Sequence, residues 1–190
     1  MKKDLIAFDM DDVVNKMRLE TSRVFTEMSG KVVPLEEWSQ LCPQFLYGVD
    51  FCPETMIKGR IIEDCLPEED ASKTFKTLSE RGFQTAIITA RGWHDRGVEA
   101  TLEWLEQHGI EVDHLHVVSM TETKFDVFSK IQKDFYIKAF IDDQVKYLEQ
   151  AVNHEAVEKV FALNRPWNQN LEFEGNIHRV HSLSEFVKNI

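Results

Sequence analysis

Residues 5–13 read LIAFDMDDV, an apolar run that stops abruptly in acid. Four consecutive apolar side chains bounded by charge predict a buried β-strand, and Asp9 marks where the chain leaves the core for a solvent-facing rim. The pattern recurs in TAIIT (85–89), HLHVVS (114–119), KAFID (138–142) and VEKVFAL (157–163). Short, nearly continuous apolar strands suit a parallel sheet covered on both faces. Between them the spacing becomes helical. Ala71, Phe75 and Leu78 predict one helix, closed by Gly82, and Val98, Leu102 and Leu105 a second, closed by Gly109. Phe125, Phe128 and Ile131 predict a third, and Leu148 with Val152 a fourth. This alternation predicts an α/β fold, a Rossmann-like open parallel sheet joined by right-handed crossovers. Ligands of such sheets bind beyond the carboxyl ends of the strands.

One segment interrupts the alternation. Residues 15–70 hold four of the five prolines, all three cysteines and 11 acids against 6 bases. A structureless loop of that length is improbable in a compact domain. A small, mainly helical cap inserted after the first strand is expected, leaving 1–14 and 71–190 as the core. With 190 residues the chain suits one domain carrying such an insertion. Its net charge of −11 argues against a broad nucleic-acid-binding surface and suggests that a cation is needed. No run approaches the roughly 20 apolar residues of a membrane span. The apolar stretch behind Met-Lys-Lys is too short for a secretory leader. Cys42, Cys52 and Cys65 form no CxxC pair and read as reduced thiols of a cytoplasmic protein.

The strand ends carry one chemistry between them. Asp9 and Asp11 follow the first strand, Thr89-Ala90-Arg91 the second, Lys124 the third and Asp142-Asp143 the fourth. One carboxylate of the first pair can attack phosphorus while the other transfers protons. Both would repel a phosphate dianion without a counter-ion, and Mg²⁺ takes oxygen ligands of this kind. Thr89 offers a hydroxyl, and Lys124 a cation, to transition-state charge. Taken singly these residues have ordinary readings, as turn acids, a strand threonine or a solvated helix lysine. Lys130 and Lys133 compete with Lys124 for its part. The ordered conjunction is the signal.

This constellation resembles the haloacid dehalogenase superfamily of aspartyl-phosphate phosphatases over residues 5 to about 165. The resemblance rests on DMDDV for the DxDx(T/V) loop, on ITAR, on Lys124 and on FIDDQ. It implies that Asp9 is the nucleophile and Asp11 the general acid/base. Asp9, the Asp11 carbonyl and Asp143 would hold Mg²⁺, with Asp142 acting through water, while Thr89, Ala90, Arg91 and Lys124 bind phosphate. Asp12 stands where most members carry glycine. The cap position and ALNRPWNQ (162–169) are similar to the 5′(3′)-deoxyribonucleotidase group, which implies a nucleoside monophosphate substrate. The ITAR and IDD neighbourhoods are also similar to the 3′-phosphatase domain of phage polynucleotide kinase-phosphatase. A polynucleotide 3′-end, or another small phosphate ester, is therefore the alternative substrate.

Other features have plainer readings. RPWN (165–168) is equally a Pro-anchored turn packed by Trp167. His114 and His116 alternate on one strand without a third zinc-like ligand and read as a packed or surface pair. His94 reads as a solvated histidine at a helix start. The aromatics of the insertion read as its small core, with Trp38, Tyr47 and Phe51 the candidates to stack on a base. Neither GxGxxG nor GxxxxGK[ST] is present, which removes the dinucleotide and P-loop readings. A phosphorylated receiver domain leaves the insertion unexplained, and a catalytically silent binding protein leaves the Asp9/Asp11 pair unexplained.

Overall fold

The computed structural model describes residues 2–32, 35, 53–173 and 175–190. Six strands form one wholly parallel sheet: β1 (Lys3–Phe8), β2 (Gln84–Thr89), β3 (His114–Val117), β4 (Phe135–Asp142), β5 (Val160–Leu163) and β6 (Ile177–Val180). Their order is β3-β2-β1-β4-β5-β6. From β1 the chain first winds outward through β2 and β3, then returns to β4 and winds the other way. The crevice at the ends of β1 and β4 is therefore the topological switch point, where ligands of open α/β sheets bind.

Alternation along β1 divides the core in two. Ile6 and Phe8 face one side, with Phe75 and Leu78 of α4 (Ala71–Glu80), Trp104 of α5 (Gly97–Gln107) and Phe186 of α8 (Leu183–Lys188). Leu5 and Ala7 face the other, with Phe128 of α6 (Lys124–Ile131) and Leu148 of α7 (Val145–Val152). The Phe8 ring lies 4.6 Å from Phe75 and 5.4 Å from Phe186, centroid to centroid. Truncating such a ring to Ala costs about 3–5 kcal/mol, the lost transfer energy plus the cavity.

Tertiary packing changed some sequence expectations. Val98 and Leu102, expected inward, are exposed, and α5 instead buries Ala100, Thr101, Trp104 and Leu105. Phe125 is exposed likewise, while Val127 joins Phe128 and Ile131 inside. The fifth strand begins at Val160 rather than at Val157, which keeps only a bridge to Ile137. β6 (IHRV) and α8 (LSEFVK), of four and six residues, are elements that the sequence reading did not predict.

Between β1 and α4 lie α1 (Met17–Ser29), α2 (Pro53–Lys58) and α3 (Ile61–Asp64). Met17, Val24, Met56 and Ile61 form a small core of their own, closed by Trp93 from the main domain. The two ends of the segment pair as a neck. Lys16 N–H donates to Leu66 O (2.8 Å), Glu68 N–H donates to Val14 O (2.9 Å), and Asn15 bridges Pro67 antiparallel. Trp38, Tyr47 and Phe51, expected as base-stacking candidates, and Cys42 and Cys52 lie outside the described residues. Among the described residues no helix is long and apolar enough to cross a membrane.

Candidate active site

Parallel pairing places the acids before any side chain is considered. Phe8 is in register with Ile141, and Asp9 N–H donates to Ile141 O at 2.9 Å, so Asp9 and Asp142 stand side by side at the rim. Lys124 enters between them. Thr123 caps α6 in a capping box with Asp126, accepting its N–H at 3.2 Å, which sets Lys124 at the first helical position. Its ammonium is fully buried and donates to Asp9 Oδ1 and Asp142 Oδ2, each at 2.6 Å, above the Tyr147 ring at 4.2 Å. Lys130 is exposed and pairs with Glu122, and Lys133 is exposed. The geometry thus brings Lys124, not its competitors, to the acids.

The Asp9 carboxyl is raised to about 7: burial, the largest influence, pushes it up, Lys124 pulls it down, and Asp142 and Asp11 add to the rise. Burial alone would drive protons off Lys124, but Asp142 and Asp9 outweigh it and hold the ammonium well above its ordinary range. Asp143 is fully buried and is raised well above the carboxylate range, first by burial and then by Asp142, Asp12 and Asp9.

Asp11 meets Arg91. The guanidinium is wholly buried, its Nε lies 3.1 and 3.0 Å from the two Asp11 oxygens, its Nη2 also donates to Asp11, and its Nη1 donates to Thr101 at 2.9 Å. Arg91, expected to bind phosphate, is thus committed to Asp11 and Thr101. A free phosphate-binding arginine would need an open donor edge, and here both edges are occupied. Thr89 Oγ1, by contrast, is buried with no hydrogen-bond partner among the described residues. Ala90 is half-buried between them. Gly92 lets this loop press on the next strand: a Cβ there would sit 2.3 Å from Val118 O.

Asp12 adopts a left-handed backbone, with φ 62°. Asn15 Oδ1 accepts its N–H at 3.1 Å, while its carboxylate accepts from Arg18 N (2.7 Å) and Arg18 Nε (3.1 Å). Burial raises the Asp12 pKa, and Arg18 opposes that rise. The RPWN turn closes the other side. Trp167 Nε1 donates to Asp143 Oδ2 at 2.6 Å, and Asn168 Nδ2 donates to Asp143 O at 2.8 Å. Arg165 Nε donates to Asp12 O at 2.8 Å and its Nη2 to Glu68. The turn reading of RPWN therefore holds, with Trp167 packed against Arg18, and the turn is fastened to the acids themselves.

His94, read as solvated, is 7% exposed, and its Nδ1 accepts Arg96 N–H at 3.0 Å. His114, read with His116 as a packed or surface pair, packs on Phe135 with ring centroids 4.8 Å apart. Sequence reasoning missed Arg18, Asn15 and the partners of Arg91. The one available signal was the polar N-x-x-R that follows DMDDVV.

Asp9, Asp142 and Asp143 each place a carboxylate oxygen within 4.8 Å of the others, the one such group among the described residues. Asp11 and Asp12 have their own arginines, so three acids share one lysine and, when ionised, leave two negative charges. A divalent cation cancels that excess. Among the described residues Asp143 Oδ1 is buried without a partner, and every ligand atom is a hard oxygen, so the set fits Mg²⁺.

Six parallel strands in this order, with Asp9 at the switch point and a segment inserted behind β1, can be compared with solved structures. A haloacid dehalogenase-like hydrolase from Streptococcus pneumoniae aligns over 97% of both chains, with TM-score 0.67 and 12% identity. The fold is the haloacid dehalogenase-like fold. A predicted phosphatase from Clostridium acetobutylicum aligns over 100% of this chain and 98% of its own, with TM-score 0.68 and 14% identity. D,D-heptose 1,7-bisphosphate phosphatase from B. bronchiseptica, solved with magnesium and phosphate, aligns over 100% and 97%, with TM-score 0.58 and 13% identity. An L-2-haloacid dehalogenase shares the fold too, at TM-score 0.60 and 11% identity. No family model and no curated protein sequence matches the chain.

Proposed function

We propose that the protein is a Mg²⁺-dependent phosphomonoester hydrolase that works through an aspartyl-phosphate on Asp9. The observation that carries this reading is the buried Asp9–Lys124–Asp142 triad beside the unpartnered Asp143 Oδ1. A halide-displacing enzyme, the chemistry named for some of the aligned structures, would leave the buried Asp143 Oδ1 unexplained.

Asp9, Asp142, Asp143 and the Asp11 carbonyl are the groups assigned to the cation. When bound, it neutralises the carboxylates and screens the incoming phosphate. Lys124 opposes the burial that raises the Asp9 carboxyl and orients it, with one oxygen held at 2.6 Å and the other free to attack. Asp9 forms a bond to phosphorus as the ester P–O bond breaks, and Asp11 gives the departing oxygen its proton. Asp11 then takes a proton from water, which attacks phosphorus and releases inorganic phosphate and free Asp9. Holding a proton requires Asp11 to loosen from Arg91 when substrate enters. Thr89 Oγ1, the 90–91 backbone and Lys124 are assigned to the phosphoryl oxygens.

The proposed substrate is a nucleoside monophosphate, with the position of the insertion after β1 and the RPWN resemblance in its support; a polynucleotide 3′-phosphate is the alternative. Hydrolysis of p-nitrophenyl phosphate tests the chemistry. Activity is expected with Mg²⁺ and lost in Asp9→Asn; a wild-type protein inert with Mg²⁺ sinks the reading. A panel of phosphate esters tests the substrate, and release from hexose or triose phosphates but not from nucleotides would overturn that choice.

A further inference from the structure

The indole of Trp167 is fixed on two sides. Its face lies 3.6 Å from the Arg18 guanidinium, a cation–π stack, and Arg18 is itself anchored to Asp12. Its edge donates Nε1–H to Asp143 Oδ2 at 2.6 Å, and Gln144 Nε2 donates to the same oxygen at 2.7 Å. Asn168, next in sequence, ties the turn to Asp143 O and Leu163 O, both at 2.8 Å. Two donors thus occupy one carboxylate oxygen of a fully buried aspartate and leave the other, Oδ1, with none among the described residues.

We propose that Trp167 is a positioning residue that holds Asp143 as a one-oxygen ligand and so selects Mg²⁺ over Ca²⁺ at this site. The inference rests on reading the Asp9/Asp142/Asp143 group as a cation site. A carboxylate free to turn about its terminal torsion can present both oxygens, which suits the larger, more loosely coordinated Ca²⁺. Mg²⁺ demands near-octahedral geometry at short distance and takes one oxygen per carboxylate. Partners outside a ligand set commonly change metal affinity about 10- to 100-fold. Fastening Oδ2 to Trp167 and Gln144 removes the two-oxygen mode before any ion arrives.

The test is calorimetric titration of the metal-free protein with Mg²⁺ and with Ca²⁺, together with its thermal midpoint. Trp167→Phe keeps a ring against Arg18 and deletes the N–H. Mg²⁺ affinity is expected to fall about tenfold and the Mg²⁺/Ca²⁺ affinity ratio to fall with it. An unchanged ratio overturns the proposal, including the case in which the midpoint drops and both ions weaken equally, because Trp167 would then be structural only. Should Trp167→Phe fail to fold, Trp167→Leu, which also lacks the indole N–H, carries the same expectation and the same refutation. Asp143→Asn separates the two readings. Loss of Mg²⁺ binding there, with an unchanged ratio in Trp167→Phe, leaves the cation site standing and refutes the role of Trp167. A wild-type protein that binds neither ion removes both.

Discussion

Replacing Lys124 by Met isolates the charge balance on which the site depends. The methionine fills nearly the same volume over the Tyr147 ring and removes the charge. Wild-type Lys124 sits 2.6 Å from each of two buried carboxylates. At an effective dielectric constant of about 20, each contact is worth roughly 6 kcal/mol of attraction. Desolvating the ammonium consumes several kcal/mol of that sum, but Asp9 and Asp142 are already buried and would be left facing each other. Breaking a buried ion pair by removing one partner typically costs about 3–5 kcal/mol. That loss is expected here in EDTA, read by urea unfolding or as a fall of roughly 6–20 °C in the melting midpoint for a chain of this size. Mg²⁺ at about 100 times its Kd should restore roughly 2.7 kcal/mol, because only the folded state assembles the three acids. Hydrolysis should stay low even with Mg²⁺, since the oriented donor to Asp9 is gone. If Lys124→Met unfolds within about 1 kcal/mol of wild type in EDTA, the site is wetter than its burial indicates and the argument fails.

Burial pushes the Cys65 thiol up to about 12. Its thiolate fraction at pH 8 is then on the order of one in ten thousand. Iodoacetamide should leave Cys65 unmodified in the native protein and label it in urea, and comparable rates in both states would refute this. Gly92→Ala places a Cβ 2.3 Å from the Val118 carbonyl oxygen, a backbone atom that cannot swing aside. The expected cost is about 3 kcal/mol, at the severe end of overpacking, with reduced hydrolysis through displacement of Thr89; a neutral change by urea unfolding would show that the loop has room. His154 lies against Phe125 and Phe128, and burial lowers its pKa. A folded-state pKa below the unfolded value means that protonation favours unfolding. Its contribution is therefore complete above about pH 6.5 and is lost as pH falls through the lower folded value. The stability gap between wild type and His154→Gln should narrow below pH 6, and a constant gap would exclude that linkage.

What the sequence made legible was the rim. Each core strand changes from apolar to polar where it leaves the sheet, so the places where chemistry could stand were marked at 9, 89 and 142 by composition alone. Lys124 was less visible, because three lysines lie within ten residues and only the Thr123 capping box fixes which one points inward. What stayed hidden was pairing at long range. Arg91 and Asp11 are 80 residues apart and Trp167 and Asp143 are 24 apart, and no local pattern records either contact. The face of α5 was misjudged for a related reason. Val98 and Leu102 have the right spacing, yet the larger Trp104, whose indole donates to Cys65 O at 2.7 Å, decides which side turns in. Periodicity predicts that a helix has a buried face, and the neighbours choose the face.

Asp12 shows how a residue that breaks a local rule can be part of the site. A left-handed backbone costs an ordinary L-residue about 1–2 kcal/mol, and glycine would avoid that cost. Glycine would also remove the carboxylate that binds Arg18 through both its N–H and its Nε. Arg18 is the cover of the Trp167 ring, and Trp167 holds Asp143, so the side chain that strains the loop also anchors the chain of contacts running to the far carboxylate. The backbone N–H of Asp12 is satisfied by Asn15 and its carbonyl by Arg165, so no polar group is stranded by the turn. Charge-assisted hydrogen bonds of this kind contribute about 1.5–3 kcal/mol each, which more than offsets the backbone term. The loop after β1 is thus held from both sides: by the first turn of α1, within the inserted segment, and by the RPWN turn after β5.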